Sequence, residues 1–203
     1  TNFSTNNPRS FTASTPPNPP VTIIQLQLGL LASAKSLQVD LREIAASSDT
    51  STSKGLQRVL QETTLSLLRH PELWVYANTE SGNVPFSKSE STFNRISMTE
   101  RSKLQAEITS NVSGTILSDK RTQNKPGEAD SSNEYIAITL LIASTSQYKI
   151  NDSCNSESLK ENLRLLGSIS SSELIALEVI WQPEGEGDVL RAEDLVTSYP
   201  NLK

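Results

Sequence analysis

The chain has 203 residues and a mass of 22.2 kDa, with 35% hydrophobic and 20% charged residues, which fits one soluble domain with room for at most a small second one. A net charge of −5 argues against a nucleic-acid-binding protein, because such proteins need a basic surface. The single cysteine excludes an internal disulfide framework and a cysteine-based zinc site, and no apolar run reaches the length of about 20 residues that a membrane span needs.

The first 20 residues differ in composition from the rest of the chain. They hold five of the ten prolines, and sixteen of the twenty are Ser, Thr, Asn or Pro. Such a segment buries too little apolar surface to offset the entropy of ordering it, so we expect a disordered or extended tail. Phe3 and Phe11 are its large apolar side chains. A plain linker is the default interpretation; a segment that a partner orders, or a PxxP ligand, is the functional alternative.

The first half of the remaining chain predicts a strand, two helices and a second strand. In residues 21–32 apolar side chains alternate with Gln and Gly, which is typical of a half-buried strand. Leucines and other apolar residues three to four apart then predict helices over 33–46 and from 56 to about 70. The second helix is expected to end before Pro71, and residues 72–78 predict a short strand.

The second half predicts further elements, with a long polar loop among them. They are a loop at 80–87, a helix from 87 to about 114, a loop at 115–134, a strand at 134–145, a helix at 157–166, a strand at 173–183 and a short helix at 192–198. The irregular order indicates an α+β fold for residues 21–203, with a sheet of about four strands and helices packed mainly on one face. The strand at 134–145 is the most apolar and is expected at the centre of the sheet.

Residues with potential chemistry are few and scattered. His70 lies at a predicted helix C-terminus, where a basic side chain is common for capping reasons. Cys154 lies in a polar turn without a partner thiol, and Glu184, Glu186 and Asp188 lack the spacing of a calcium loop. No glycine-rich phosphate loop occurs. We therefore predict no catalytic residues, no metal site and no cofactor, and a protein that is not an enzyme.

Three stretches of the sequence resemble a known family. They are residues 25–51, residues 55–77 and residues 174–202, and the most specific pieces are LLRHPELW (67–74) and EGDVLRAEDLVTSYPNL (186–202). Over roughly residues 21–203 the chain resembles the family of cyanobacterial and plastid proteins of unknown function that includes the plant fluctuating-light-acclimation protein.

The resemblance implies a photosynthetic setting. Members of this family typically carry a membrane-spanning segment ahead of the domain, so membrane anchoring is expected only through an N-terminal segment absent from this chain. The implied location is the thylakoid membrane of a plastid or cyanobacterium, with the domain on the stromal or cytoplasmic side. His70 and Trp74 match the family motif, but a helix cap and a buried strand aromatic explain them without a site.

Two hypotheses about function follow. The first is a non-catalytic accessory or connector protein of an antenna or photosystem assembly, which acts through protein partners. The alternative is a regulator of proton homeostasis and photoprotection that acts on a membrane transporter. The predicted partner contacts are Phe3 and Phe11 in the tail and the basic residues Lys120, Arg121 and Lys125 in the long polar loop, because loops of that length are usually functional or disordered.

Overall fold

The computed structural model describes residues 18–117, 134–152, 155–185 and 188–203. The strands are β1 (Val21–Leu31), β2 (Trp74–Val84), β3 (Glu134–Ser144), β4 (Leu174–Gln182) and β5 (Leu190–Arg191). The α-helices are α1 (Lys35–Ser47), α2 (Ser53–Arg69), α3 (Phe86–Leu117), α4 (Ser156–Gly167) and α5 (Ala192–Ser198). Short 3₁₀ turns at Ala32–Ala34 and Pro71–Leu73 lead into α1 and β2.

The strands form one antiparallel sheet in the order β2-β1-β3-β4, with β5 pairing to the start of β3. β1 pairs along almost its whole length with β2 on one side and β3 on the other. Nearly all residues of these two central strands are buried, because helices cover both faces of the sheet. This explains why β3 is a nearly continuous apolar run.

The first face of the sheet carries the main hydrophobic core. Leu26 and Leu140 lie side by side at its centre and are fully buried. The helices α1, α2 and α4 cover this face with leucines at helical spacing, among them Leu41, Leu60 and Leu163. The prediction of an α+β fold with a sheet of about four strands is confirmed, and helices cover both faces of the sheet.

The second face is covered by α3 and α5 and holds two smaller apolar clusters. Val21, Ile23 and their neighbours pack against Phe93 and Ile96 of α3. At the other end of the sheet, Tyr135, Leu190 and neighbouring apolar residues pack against Leu195 and Tyr199, in and just after α5. Polar side chains fill the space between these two clusters.

The structure differs from the sequence-based elements at three places. β2 continues to Val84, so the loop predicted over 80–87 is wrong for its first five residues, because they pair with Val21 to Gln25 of β1. The helix α3 runs to Leu117 rather than to about residue 114, which shortens the predicted loop at 115–134. The two-residue strand β5 was not predicted. The tail at 1–17 and residues 118–133 lie outside the described residues.

Gly55 lies in the first turn of α2, against the turn that precedes the helix. A Cβ atom at this position would lie 1.7 Å from the carbonyl oxygen of Asp49. We expect Gly55→Ala to destabilise the protein, because overpacking costs about 1–3 kcal/mol, whereas alanine gains only about 1 kcal/mol over glycine within a helix. Urea unfolding of the variant measures the change.

Gly82→Ala is the matched control for this prediction, since nothing lies within 4 Å of a Cβ atom at Gly82. We expect its unfolding midpoint to stay within error of the wild type or to rise slightly. A Gly55→Ala protein as stable as Gly82→Ala would show that the approach to Asp49 is not a constraint in solution.

Candidate functional site

A buried carboxylate lies between α3 and the second face of the sheet. Glu100 belongs to α3, and its side chain is only 3% exposed. The amide nitrogens of Gln25 and Gln27 in β1 donate hydrogen bonds to its two oxygens at 2.8 and 3.0 Å. The hydroxyl of Thr139 in β3 donates a third at 3.2 Å. Two strands and one helix thus converge on a single carboxylate.

Lys103, one turn further along α3, neutralises this carboxylate. Its ammonium lies 2.8 and 3.0 Å from the two oxygens of Glu100, and its side chain is 18% exposed. The same ammonium stacks over the ring of Tyr199, 4.1 Å from the ring centroid, which is a cation–π geometry. The Tyr199 hydroxyl donates to the side-chain carbonyl of Gln182 at 2.9 Å. We call these residues (Gln25, Gln27, Glu100, Lys103, Thr139, Gln182 and Tyr199) the Glu100 network.

The Glu100 network fixes how α3 sits on the sheet. Burying a charge is costly unless it is paired and hydrogen-bonded, and here both oxygens of the carboxylate receive several donors. A shift of α3 by one residue would separate Glu100 from the glutamines and leave polar groups unpaired in the interior. The arrangement therefore indicates that these residues hold α3 in place on the sheet.

A second cluster of polar groups surrounds Glu173, just before β4. The hydroxyl of Ser146 donates to one oxygen of this carboxylate; the hydroxyls of Ser170 and Tyr148 donate to the other at 2.8 and 3.0 Å. These hydrogen bonds, that from Ser146 first, lower the pKa of Glu173 to about 2. Burial, followed by the neighbouring carboxylate, raises the pKa of the Tyr148 hydroxyl.

The lowered pKa of Glu173 predicts a loss of stability in acid. The group has a pKa of 4.5 without these contacts and about 2 in the folded protein, so its stabilising effect is present above pH 4.5 and disappears as the pH falls toward 2. We expect Glu173→Gln to be less stable than the wild type at pH 7 and to lose less stability between pH 4.5 and 2. Chemical unfolding at a series of pH values measures the free energy of unfolding of both proteins. If the two free energies change with pH in parallel, the pKa of Glu173 is not lowered in the folded protein.

The first face of the sheet has an apolar cleft at its β4 edge. The cleft has a volume of about 250 Å³ and lies between α1, the turn after it, α2 and β4. Leu177, Val179 and Trp181 of β4 line one side. The opposite side comes from helix residues, among them Leu41 and Val59. The cleft brings together residues far apart in sequence and holds no cluster of titratable groups, so apolar contact is the chemistry that it offers.

The motif at 67–74 forms the junction between α2 and β2. His70 is the C-cap residue of α2, and its backbone N–H donates to the carbonyl of Leu67, so the predicted position at a helix end is confirmed. Its imidazole Nδ1 lies 3.0 Å from Glu72. A backbone hydrogen bond and then His70 lower the pKa of Glu72. Trp74 packs against the main core, as expected of a strand aromatic.

Most of the other residues named in the sequence analysis lie outside the described part of the chain. The predicted partner contacts Phe3, Phe11, Lys120, Arg121 and Lys125 lie outside the described residues and stay predictions, and Cys154 and Glu186 also lie outside them. Asp188 closes a turn through its backbone N–H, which donates to the carbonyl of Gly185 at 3.2 Å. Within the described ranges no three His, Cys, Asp or Glu side chains lie close enough together to hold a metal ion.

None of the helices in those ranges is both long and apolar enough to cross a bilayer.

Sequence reasoning missed the Glu100 network. Gln25 and Gln27 were interpreted as the polar, outward side of a half-buried strand, but Gln27 is only 4% exposed because α3 covers it. The available signal was Val21 and Ile23, which lie on the same side of β1 as the two glutamines. Apolar residues on both sides of a strand indicate that both of its faces are buried.

Comparisons with known proteins identify relatives in photosynthetic organisms. The chain is 42% identical over 191 residues to Protein FLAP1 homolog A of Synechocystis sp., which covers 92% of this chain and 57% of the relative. It is 40% identical over 184 residues to the chloroplastic FLUCTUATING-LIGHT-ACCLIMATION protein 1 of Arabidopsis thaliana. This alignment covers 90% of the present chain and 46% of the relative. The chain thus spans about half the length of these curated relatives. No solved structure matches it significantly.

The family itself is defined by a model that spans nearly the whole chain. The family described as protein of unknown function DUF1517 matches residues 20–203, which include all the strands and helices of the fold. The relatives are a cyanobacterial protein and a chloroplast protein, as the resemblance in the sequence implied. The chain therefore belongs to the DUF1517 family, whose matched relatives are a cyanobacterial protein and a chloroplast protein.

Proposed function

We propose that this domain is a non-catalytic accessory protein of the photosynthetic apparatus that acts by binding other proteins at the thylakoid membrane. The observation that carries the proposal is similarity over 90% of the chain to a chloroplast protein named for acclimation to fluctuating light.

The interior of the domain supports a binding role. Buried carboxylates are frequent in catalytic sites, but Glu100 has both oxygens engaged by side chains of the protein itself. Glu173 is engaged in the same way by serine and tyrosine hydroxyls. Both groups are thus committed to holding elements of the fold together. A reacting group, in contrast, needs a free position next to a substrate.

The proposed location is the stromal or cytoplasmic surface of the thylakoid membrane. The matched regions cover 57% and 46% of the two relatives, and we propose that an anchoring segment belongs to the additional length of these proteins. The domain would then be held beside membrane complexes. A tether of this kind raises the effective concentration of the domain at its partner, so that a modest affinity suffices.

Gentle solubilisation of native thylakoid membranes tests the proposal. The full-length protein carries an affinity tag at its native expression level, and whatever co-migrates with it on native gels is identified by mass spectrometry. Stoichiometric co-migration with a photosystem or antenna complex is the expected result. Migration of the protein alone would overturn the proposal.

The regulatory alternative has its own outcome in the same experiment. Co-migration with a small membrane transporter would favour regulation of proton balance over an accessory role in an antenna or photosystem assembly. The observation that favours this alternative is the exposed pair of His70 and Glu72, whose ring nitrogen and carboxylate oxygen lie 3.0 Å apart at the surface. His70→Gln in the full-length protein would then change the response to fluctuating light, whereas an accessory role predicts no change.

A further inference from the structure

We propose that the outer edge of β4 is a strand-addition site, which binds an extended segment of another protein with apolar side chains on one side and basic or hydrogen-bond-donating side chains on the other. The inference rests on the proposed function and names the surface through which it acts. It joins two observations on β4: a free hydrogen-bonding edge and an adjacent apolar cleft.

The edge of β4 is open within the described part of the chain. β4 is the last strand of the sheet and pairs with β3 on one side, while its other side receives no backbone hydrogen bond over 175–181 from any described residue. Unpaired N–H and C=O groups in a row form a template for another strand. A row of this kind selects a polypeptide as ligand, because main-chain groups of an extended peptide match its spacing.

The composition of β4 lacks the usual protection of an edge strand. Natural edges are blunted by lysines, prolines, bulges or short length. β4 is nine residues long, LIALEVIWQ, and carries Glu178 as its one charged residue. Its pairing with β3 shifts register once, at Ile175, and is regular over 176–182, so most of the strand lacks these devices. The opposite edge strand differs, since β2 contains Glu80, Gly82 and Asn83, and Lys203 already exchanges two backbone hydrogen bonds with Ala77. The open apolar edge is therefore that of β4.

The apolar cleft supplies specificity on the first face. Leu177, Val179 and Trp181 line it, and these alternate residues share one side of β4. An added strand would direct every second side chain to the same side. The volume of about 250 Å³ holds at least one apolar side chain, because a cavity of about 150 Å³ already holds benzene.

Glu178 sets the chemistry on the other face. It points toward α3, where Arg101 binds its Oε1 atom, and its side chain is 13% exposed. The Oε2 atom is buried and has no hydrogen-bond partner among the described residues. A directly facing lysine, arginine or serine on an added strand would donate to this oxygen, since cross-strand neighbours on one face lie close together. Because Arg101 already balances the charge of Glu178, the unpartnered Oε2 atom selects a hydrogen-bond donor on this side of the ligand.

A peptide titration followed by NMR tests the site directly in the full 203-residue chain. The probe is an acetylated and amidated peptide of five Lys-Val repeats, and the control is a block peptide of five lysines followed by five valines. We expect the alternating peptide to shift the amide signals of 175–181 and the indole N–H signal of Trp181, with about tenfold tighter binding than the block peptide. Equal binding of both peptides, or no shifts in β4, would overturn the site.

Two matched variants sharpen the test. Ile175 is 40% exposed in β4 and Val196 is 67% exposed in α5, so both accept lysine without loss of core packing. Ile175→Lys is expected to weaken binding of the alternating peptide about tenfold, because a lysine on an edge blocks strand addition, whereas Val196→Lys adds the same charge and should not. If both variants weaken binding equally, the peptide binds through the overall charge of the protein and not through the β4 edge, which overturns the proposal.

Hydrogen exchange separates the other possible occupants. Alternate amides of β4 donate to β3 and exchange slowly in any case, so the outward-facing amides of 175–181 are the ones that report on the edge. Slow exchange of these outward-facing amides in the isolated monomer would show that the chain covers its own edge, and a concentration-dependent slowing would assign the edge to a second copy. Either result overturns the proposal. In thylakoid membranes, an Ile175→Lys protein that still co-migrates with its complex refutes the site and leaves the proposed function intact. A wild-type protein that migrates alone refutes the proposed function as well.

Discussion

Glu100→Ala is expected to lower the free energy of unfolding by about 3–5 kcal/mol, the range found when one partner of a buried ion pair is removed. The substitution leaves the Lys103 ammonium without its carboxylate and the amides of Gln25 and Gln27 without their acceptor. Urea unfolding followed by fluorescence and circular dichroism measures the loss. The detachment of α3 should appear as faster amide exchange in this helix.

Two variants control for this prediction. Glu100→Gln keeps the shape and one acceptor oxygen but removes the charge, so it should fall between the wild type and Glu100→Ala. Arg58→Ala removes the exposed ion pair with Glu62, in which the two side chains are 64% and 35% exposed, and should cost less than about 1 kcal/mol. If Glu100→Ala costs no more than Arg58→Ala, the Glu100 network does not hold α3.

Leu140→Ala is expected to cost about 2–5 kcal/mol, which is the range for a fully buried leucine in a core that relaxes only partly. Leu140 is 0% exposed at the centre of β3, beside Leu26 of β1 and Val179 of β4. The cavity would lie beneath the helices of the first face. Thermal and urea unfolding of the variant provide the measurement.

Leu65→Ala is the surface counterpart of Leu140→Ala. Leu65 lies in α2 and is 51% exposed, so its truncation should stay within about 0.5 kcal/mol of the wild type. Similar costs for the two variants would mean that the main core is not centred on β3. Both substitutions are leucine to alanine, so the difference between them reports mainly burial, since the different propensities of alanine in a strand and in a helix account for at most about 1 kcal/mol.

The sequence predicted most elements because each has a strong local signal. The alternating pattern of β1 and the spacing of leucines in α2 decide between strand and helix without help from the rest of the fold. The second half of β2 has no such signal, since TESGNV is polar and contains glycine. It is a strand because β1 offers it a partner along 21–25, which is tertiary information.

The candidate sites depend even more on the fold. The Glu100 network joins β1, α3, β3, the end of β4 and the residue after α5, and the sequence alone does not indicate that Gln27 faces Glu100. The cleft likewise arises where α1 and α2 leave part of β4 uncovered. The spacing of residues along the sequence reports on groups within one helix or strand. A site assembled from several elements therefore cannot be predicted from such spacing.

The central place of β1 also determines when the domain can fold during synthesis. β1 is synthesised before both of its partner strands, yet Thr22 pairs with Asn83 on one side and with Ser144 on the other. The apolar residues of β1 therefore stay unpaired until β2 and β3 have been made, and closing such long loops slows folding. Until then the unpaired strand is open to aggregation.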